Sequence, residues 1–138
     1  MNELQKLRAK TSVGIIALLW VNFGLIVLRN LVRAEGLDVF AVVATLLVVA
    51  PATLAWMQNR TGDATRILTS IAHAATVAIL VYSFSGSPLQ IDMHMYFFAT
   101  LALCAAWVDW RSIVANAGFV AVHHLGLFAA MPLAVFPG

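Results

Sequence analysis

Residues 88–131 read PLQIDMHMYFFATLALCAAWVDWRSIVANAGFVAVHHLGLFAAM. Two apolar runs, Pro88 to Val108 and Trp110 to Met131, meet at Asp109 with almost no chain between them. Each run is long enough to cross a hydrocarbon core as an α-helix, which takes roughly 20 residues. In lipid a single run has no other choice, because only a helix satisfies its own backbone donors and acceptors. With so short a turn the two helices must lie antiparallel and adjacent.

Three further runs precede this pair: Thr11 to Leu28, Asp38 to Met57 and Thr65 to Phe84. The expected fold is therefore all-α, a polytopic transmembrane helical bundle of about five spans forming one domain over residues 1–138. Composition agrees: 62% of the residues are hydrophobic, 10% are charged, and mean hydropathy is +0.93. A soluble domain needs more charge than this to cover its surface. The net charge of +2 carries no argument for nucleic acid, since the basic residues sit at the borders of apolar runs. The single cysteine, Cys104, lies within an apolar run, excludes an intrachain disulfide and reads as a small core residue. The first run is longer than a signal-peptide core and is followed by Arg29-Asn30-Leu31 rather than a small-residue cleavage site, so it reads as a retained anchor.

Boundary residues suggest local chemistry. Ser87 is expected to cap helix four, with Pro88 at its first position and Gln90 completing a capping box. Asp63 is expected to cap helix three and Asp109 helix five. Pro132 is expected to stop helix five, and Pro51 falls inside helix two, where it frees a carbonyl. Counting basic residues on alternate sides places Lys6, Arg8, Lys10, Arg60, Arg66 and Arg111 on one side and only Arg29 and Arg33 on the other. The positive-inside rule then puts the N-terminus in the cytoplasm, in a bacterial inner membrane. Trp107 and Trp110 would join an interfacial belt on that side, and the Asn59-Arg60-Thr61 sequon is accidental there. Five spans leave Phe136-Pro137-Gly138 outside, which suggests a chain truncated before a further span.

Ionisable residues deep in a membrane are functional candidates, because placing them there unpaired is costly. His73, His94, His123 and His124 qualify, with Asp92, Asn22 and Asn116 as further polar groups. Pairing the last two helices symmetrically about Asp109 sets His94 level with His124, about 10 Å below the outer edge at 1.5 Å per residue. His123 is one step away, and His73 lies near the middle of helix three. Imidazoles at one depth suit copper, zinc, iron or nickel. Met93 and Met95 flank His94 and offer soft thioethers to Cu(I), although helix geometry keeps both off the face of His94. Asp92 is nearly opposite His94 as well, and it equally suits a solvated carboxylate at a helix N-terminus. A b-type haem is the competing cofactor, with His73 or His94 facing His124 and room left by Ala72, Ala74, Ala75, Ala117, Gly118 and Ala121. Small residues also pack helices closely with no cofactor at all. Unrelated histidines, each hydrogen-bonded to backbone or water, are the alternative for the whole set.

Gln90-Ile91-Asp92-Met93-His94-Met95-Tyr96-Phe97-Phe98-Ala99, Asp109-Trp110-Arg111, Val122-His123-His124-Leu125 and Phe136-Pro137 together resemble one family. It is the multi-span membrane region at the N-terminus of certain bacterial methyl-accepting chemotaxis proteins, also found on diguanylate cyclases. The resemblance covers residues 88–138 best. It implies a sensory input domain, a further His-bearing helix, and a cytoplasmic signalling module beyond the end of this sequence.

The expected function is thus a membrane-embedded sensor and not an enzyme. His94, His123 and His124 would bind copper or haem, supported by His73 and Asp92, in a homodimer or higher oligomer within the lipid bilayer. A transport or proton-relay subunit and a cytochrome-like electron carrier are the alternatives. The internal repeats of many transporters are not visible, and neither is a nucleophile–base pair or a phosphate loop.

Overall fold

The computed structural model describes residues 2–32, 36, 38–85 and 87–130, without the side chains at 127 and 128. Arg33, Pro132 and Phe136-Pro137-Gly138, on which expectations were placed, lie outside the described residues. The described chain is all-α, with five helices: α1 (Glu3–Val32), α2 (Val39–Gln58), α3 (Asp63–Ser83), α4 (Gln90–Ala105) and α5 (Trp110–Ala130). Among the described residues α1, α2 and α3 are long and apolar enough to cross a membrane. Large apolar side chains point outward around the bundle, among them Leu31, Phe40, Leu47, Val122 and Leu125. Both features are compatible with a membrane protein.

The helix ends show where local signals hold and where packing overrides them. α1 begins well before Thr11, because Asn2 and Gln5 form a reciprocal capping box: each backbone N–H donates to the other's side-chain oxygen, at 3.0 and 2.8 Å. Asp38 caps α2 by accepting the Ala41 N–H at 3.2 Å. Pro51 does lie within α2. Asp109 accepts the Arg111 N–H at 3.0 Å and so caps α5, as expected.

Two expected caps are corrected. Gly62, not Asp63, precedes α3; Asp63 is its first residue, and its carboxylate turns to Arg66 and Arg111 instead. α4 begins at Gln90 rather than Pro88. The Gln90 N–H donates to the Ser87 carbonyl at 3.1 Å, which closes a turn ahead of the helix. Ser87 Oγ accepts the Leu89 N–H inside that turn. The Gln90 side chain reaches back to Val81 O and Ser85 Oγ, both at 3.3 Å, and pins the start of α4 to the end of α3. With 16 residues, α4 is about 24 Å long, shorter than the run that announced it.

α3 is the hub, packed against each of the other four helices. Its small residues Ala72, Ala74, Ala75 and Ala78 let the neighbours approach closely. One core cluster joins Ile16 and Leu19 of α1, Val49 and Ala52 of α2, and Ala72. Another joins Val77, Ala78 and Val81 to Phe97 of α4, with Phe119 and Val120 of α5 packed against it.

Trp107 is also corrected. It is fully buried, and its indole N–H donates to Thr69 Oγ1 at 3.3 Å, so it is a core residue and not part of an interfacial belt. Trp110 is exposed. Burying Trp107 bends the chain so that Val108 takes a positive φ of 53°. Arg8 of α1 stabilises this turn by donating from Nε to Trp107 O at 2.8 Å and from Nη2 to Val108 O at 2.9 Å.

Candidate functional site

α4 and α5 run antiparallel, touching at His94 with His124 and at Cys104 with Asn116. His94 Nε2 and His124 Nε2 are 3.1 Å apart, in the geometry that symmetric pairing about Asp109 anticipates. The rings meet edge to face with centroids 5.0 Å apart, and Phe97 lies against both.

The hydrogen-bond chain assigns the tautomers. His124 Nδ1 is 2.8 Å from the Val120 carbonyl, which can only accept, so Nδ1 carries the proton. In a neutral ring that leaves the lone pair on Nε2, aimed at His94. His94 Nε2–H is then the donor between the two rings. A carbonyl that fixes one ring nitrogen so that the other can coordinate is the usual outer support of a metal-bound histidine. Two nitrogens about 2.0–2.1 Å from one ion, at roughly a right angle, are about 3 Å apart. The pair therefore satisfies either one N–H···N bond or one edge of a coordination shell.

His123 faces inward, one step round the helix. It stacks on Phe119 with centroids 6.4 Å apart and lies 5.8 Å from the Phe97 ring and 5.4 Å from His124. Among the described residues neither of its buried ring nitrogens has a hydrogen-bond partner. Leaving such groups unpaired is costly, so this imidazole has donor capacity to spare beside the His94–His124 pair.

His73 is placed elsewhere. It is fully buried, and its Nε2 lies 2.9 Å from the Ile15 carbonyl of α1. Asp92 is exposed. Met93 packs into the cores beside Val77 and Leu80, and Met95 points outward. These four residues are not gathered around the pair. Among the described residues no group of three or more His, Cys, Asp or Glu stands ready as a metal site.

A cleft of about 370 Å³ opens between α4 and α5 at the pair, walled by Phe97, Phe98, Leu101, Ala117 and Ala121. Asn116 closes its far end, donating from Nδ2 to Ser70 O at 3.0 Å. Deeper in the bundle, Tyr96 of α4 donates to Asn22 Oδ1 of α1 at 2.6 Å, and Asn22 Nδ2 donates to Thr76 Oγ1 of α3 at 3.1 Å.

Sequence reasoning missed one cluster. At the end of the bundle holding the α2–α3 and α4–α5 turns, Arg66 Nε donates to Asp109 Oδ2 at 2.8 Å, with both side chains buried. Arg111 bridges Asp109 at 3.1 Å and Asp63 at 3.0 Å, and Asp63 also pairs with Arg66. Hydrogen bonds from Arg111, joined by those from Arg66, hold the Asp109 carboxyl well below the usual carboxylate range despite burial. The only signal in the sequence was the alternation of signs, Asp63 with Arg66 and Asp109 with Arg111.

Compared with known protein families, curated proteins and solved structures, the chain matches none of them.

Proposed function

We propose that this chain is a membrane-embedded sensory input domain that binds a transition-metal ion, copper above all, between α4 and α5. The observation that carries this reading is the His94–His124 contact, with His124 oriented by the Val120 carbonyl. His123 is the third ligand, reached by turning a ring whose nitrogens have no partner to give up. The direct contact of the two imidazoles favours a single ion over a porphyrin, which would need a slot between them.

Loading the ion requires the Nε2 proton of His94 to leave or to move to Nδ1. Coordination in place of that hydrogen bond would keep the two nitrogens at a similar separation but would turn both lone pairs from each other toward the ion, and the turning of the rings would shift α4 against α5. Tyr96, two residues from His94, ties α4 to Asn22 of α1, so a shift of α4 bears on α1 as well. A cytoplasmic module reading that displacement would complete a signal transducer, as the resemblance to chemotaxis input regions implies. In this reading the bundle sits in a bacterial inner membrane with Arg8, Arg66 and Arg111 on the cytoplasmic side.

Metal analysis of detergent-purified protein, together with its optical spectrum, tests the proposal. Stoichiometric copper without a Soret band supports it. A Soret band would replace the ion by haem, and protein that takes up neither under oxidising or reducing conditions would refute it.

A further inference from the structure

At the opposite end of the bundle from the Arg66–Asp109 cluster, a second cleft of about 280 Å³ lies between α1, α3 and α4. Its walls are apolar, formed by Leu25, Leu28, Leu80, Phe84 and Met93, and Arg29 stands among them. Leu25 and Leu28 are also exposed on the outside of the bundle, so the cleft opens toward the surrounding medium.

Arg29 is held in place by two contacts that leave most of its hydrogen-bonding capacity unused. Its Nε donates to the Ser83 carbonyl at 3.1 Å, and its guanidinium carbon lies 4.7 Å from the centroid of the Phe84 ring. It has no ion-pair partner among the described residues. Among the described residues neither terminal nitrogen has a partner, and both offer donors in the planar fork that matches a phosphate. Arg66 and Arg111 are committed to carboxylates and Arg8 to backbone carbonyls, while Arg60 lies over the Trp56 ring and does not line this cleft.

From this juxtaposition, a fixed and unpaired guanidinium at an apolar cleft, we infer that Arg29 and the α1/α3/α4 cleft form a binding site for an anionic phospholipid. The phosphate takes the two free guanidinium nitrogens as a charge-assisted, bidentate contact. One acyl chain lies along Leu25, Leu28 and Leu80. Charge complementarity selects the occupant: a bare alkyl chain would leave the cation unanswered, and a free phosphate would leave the cleft unfilled. The site rests on the membrane reading but not on the metal site, with which it shares no residue.

The test uses the whole chain purified in detergent, titrated with dioleoylphosphatidylglycerol while thermal unfolding is followed. The wild type should gain several degrees, more than with dioleoylphosphatidylcholine and far more than with inorganic phosphate. Arg29→Gln and the cleft-filling Leu25→Trp, which keeps the arginine, should each lose most of that gain. An equal gain in the wild type and both variants would overturn the site. A gain with inorganic phosphate equal to that with lipid would replace it by a simple anion site. Failure of the membrane reading itself shows separately, as release of the chain from cell membranes by alkaline carbonate.

Discussion

The guanidinium of Arg66 and the carboxylate of Asp109, 43 residues apart in the chain, meet at 2.8 Å with only 8% and 4% of their side chains exposed. This pair joins the start of α3 to the turn between α4 and α5. It therefore fixes the end of the helical hairpin whose other end carries the histidines.

Breaking a buried pair costs about 3–5 kcal/mol where the remaining charge is left alone; here Arg111 still faces Asp109 and Asp63 still faces Arg66, which lowers the cost to about 1.5–3 kcal/mol. Arg66→Met and Asp109→Asn should each destabilise the protein on that scale, whereas removal of the exposed Asp63 carboxylate should cost far less. The Asp109 carboxyl titrates below its unfolded value. Its contribution to stability is therefore present above the ordinary carboxylate range and is lost as pH falls through the depressed value. Thermal unfolding in detergent against pH, for the wild type and Asp109→Asn, checks both points. An acid limb of equal slope in the two proteins would show that Asp109 does not carry the effect.

On the proposed metal site, His94→Ala and His124→Ala should each abolish metal uptake without unfolding the bundle, since the apolar runs around them are unchanged. His73→Ala should have a smaller effect on occupancy, because its Nε2 is engaged with Ile15 of α1 and not with the pair. A loss in His73→Ala as large as in His94→Ala would instead mark His73 as an axial ligand of haem. Metal content per purified chain is the measurement, and full occupancy in both His94→Ala and His124→Ala would make the histidines structural.

Val108 holds a φ of 53°, a region that a β-branched residue enters only under strain. Val108→Gly should stabilise the protein by about 1 kcal/mol, the strain relief exceeding the added backbone freedom of the unfolded chain. A rise in unfolding temperature is the expected readout. A fall would mean that the exposed Val108 side chain contributes more than its backbone costs.

Orientation is open to direct labelling. With the basic residues of the α2–α3 and α4–α5 turns in the cytoplasm, a cysteine introduced at Thr61 should be shielded in intact cells and one at Ser85 should react. Cys104 is buried and should give little background. Reaction of position 61 with a membrane-impermeant reagent would invert the topology.

The apolar runs by themselves determined that the described chain is helical, and the minimal turn at Asp109 determined that His94 and His124 stand level. Both follow from local rules, the fixed rise of a helix and the reach of a short connection. What they left open was rotation about each helix axis. A run that is apolar on nearly every side does not announce which face meets a neighbour, so the burial of Trp107 and the separation of His73 from the other histidines were decided by packing around α3, and the turn of His123 toward Phe97 by the packing of α5 on α4. The same is true of Arg66 and Asp109. Read along the chain they are border charges on two different turns, and it is the approach of the α4–α5 hairpin to the start of α3 that buries them together. A buried charge has to find its counter-charge within hydrogen-bonding distance, and only the tertiary structure determines which residue stands there.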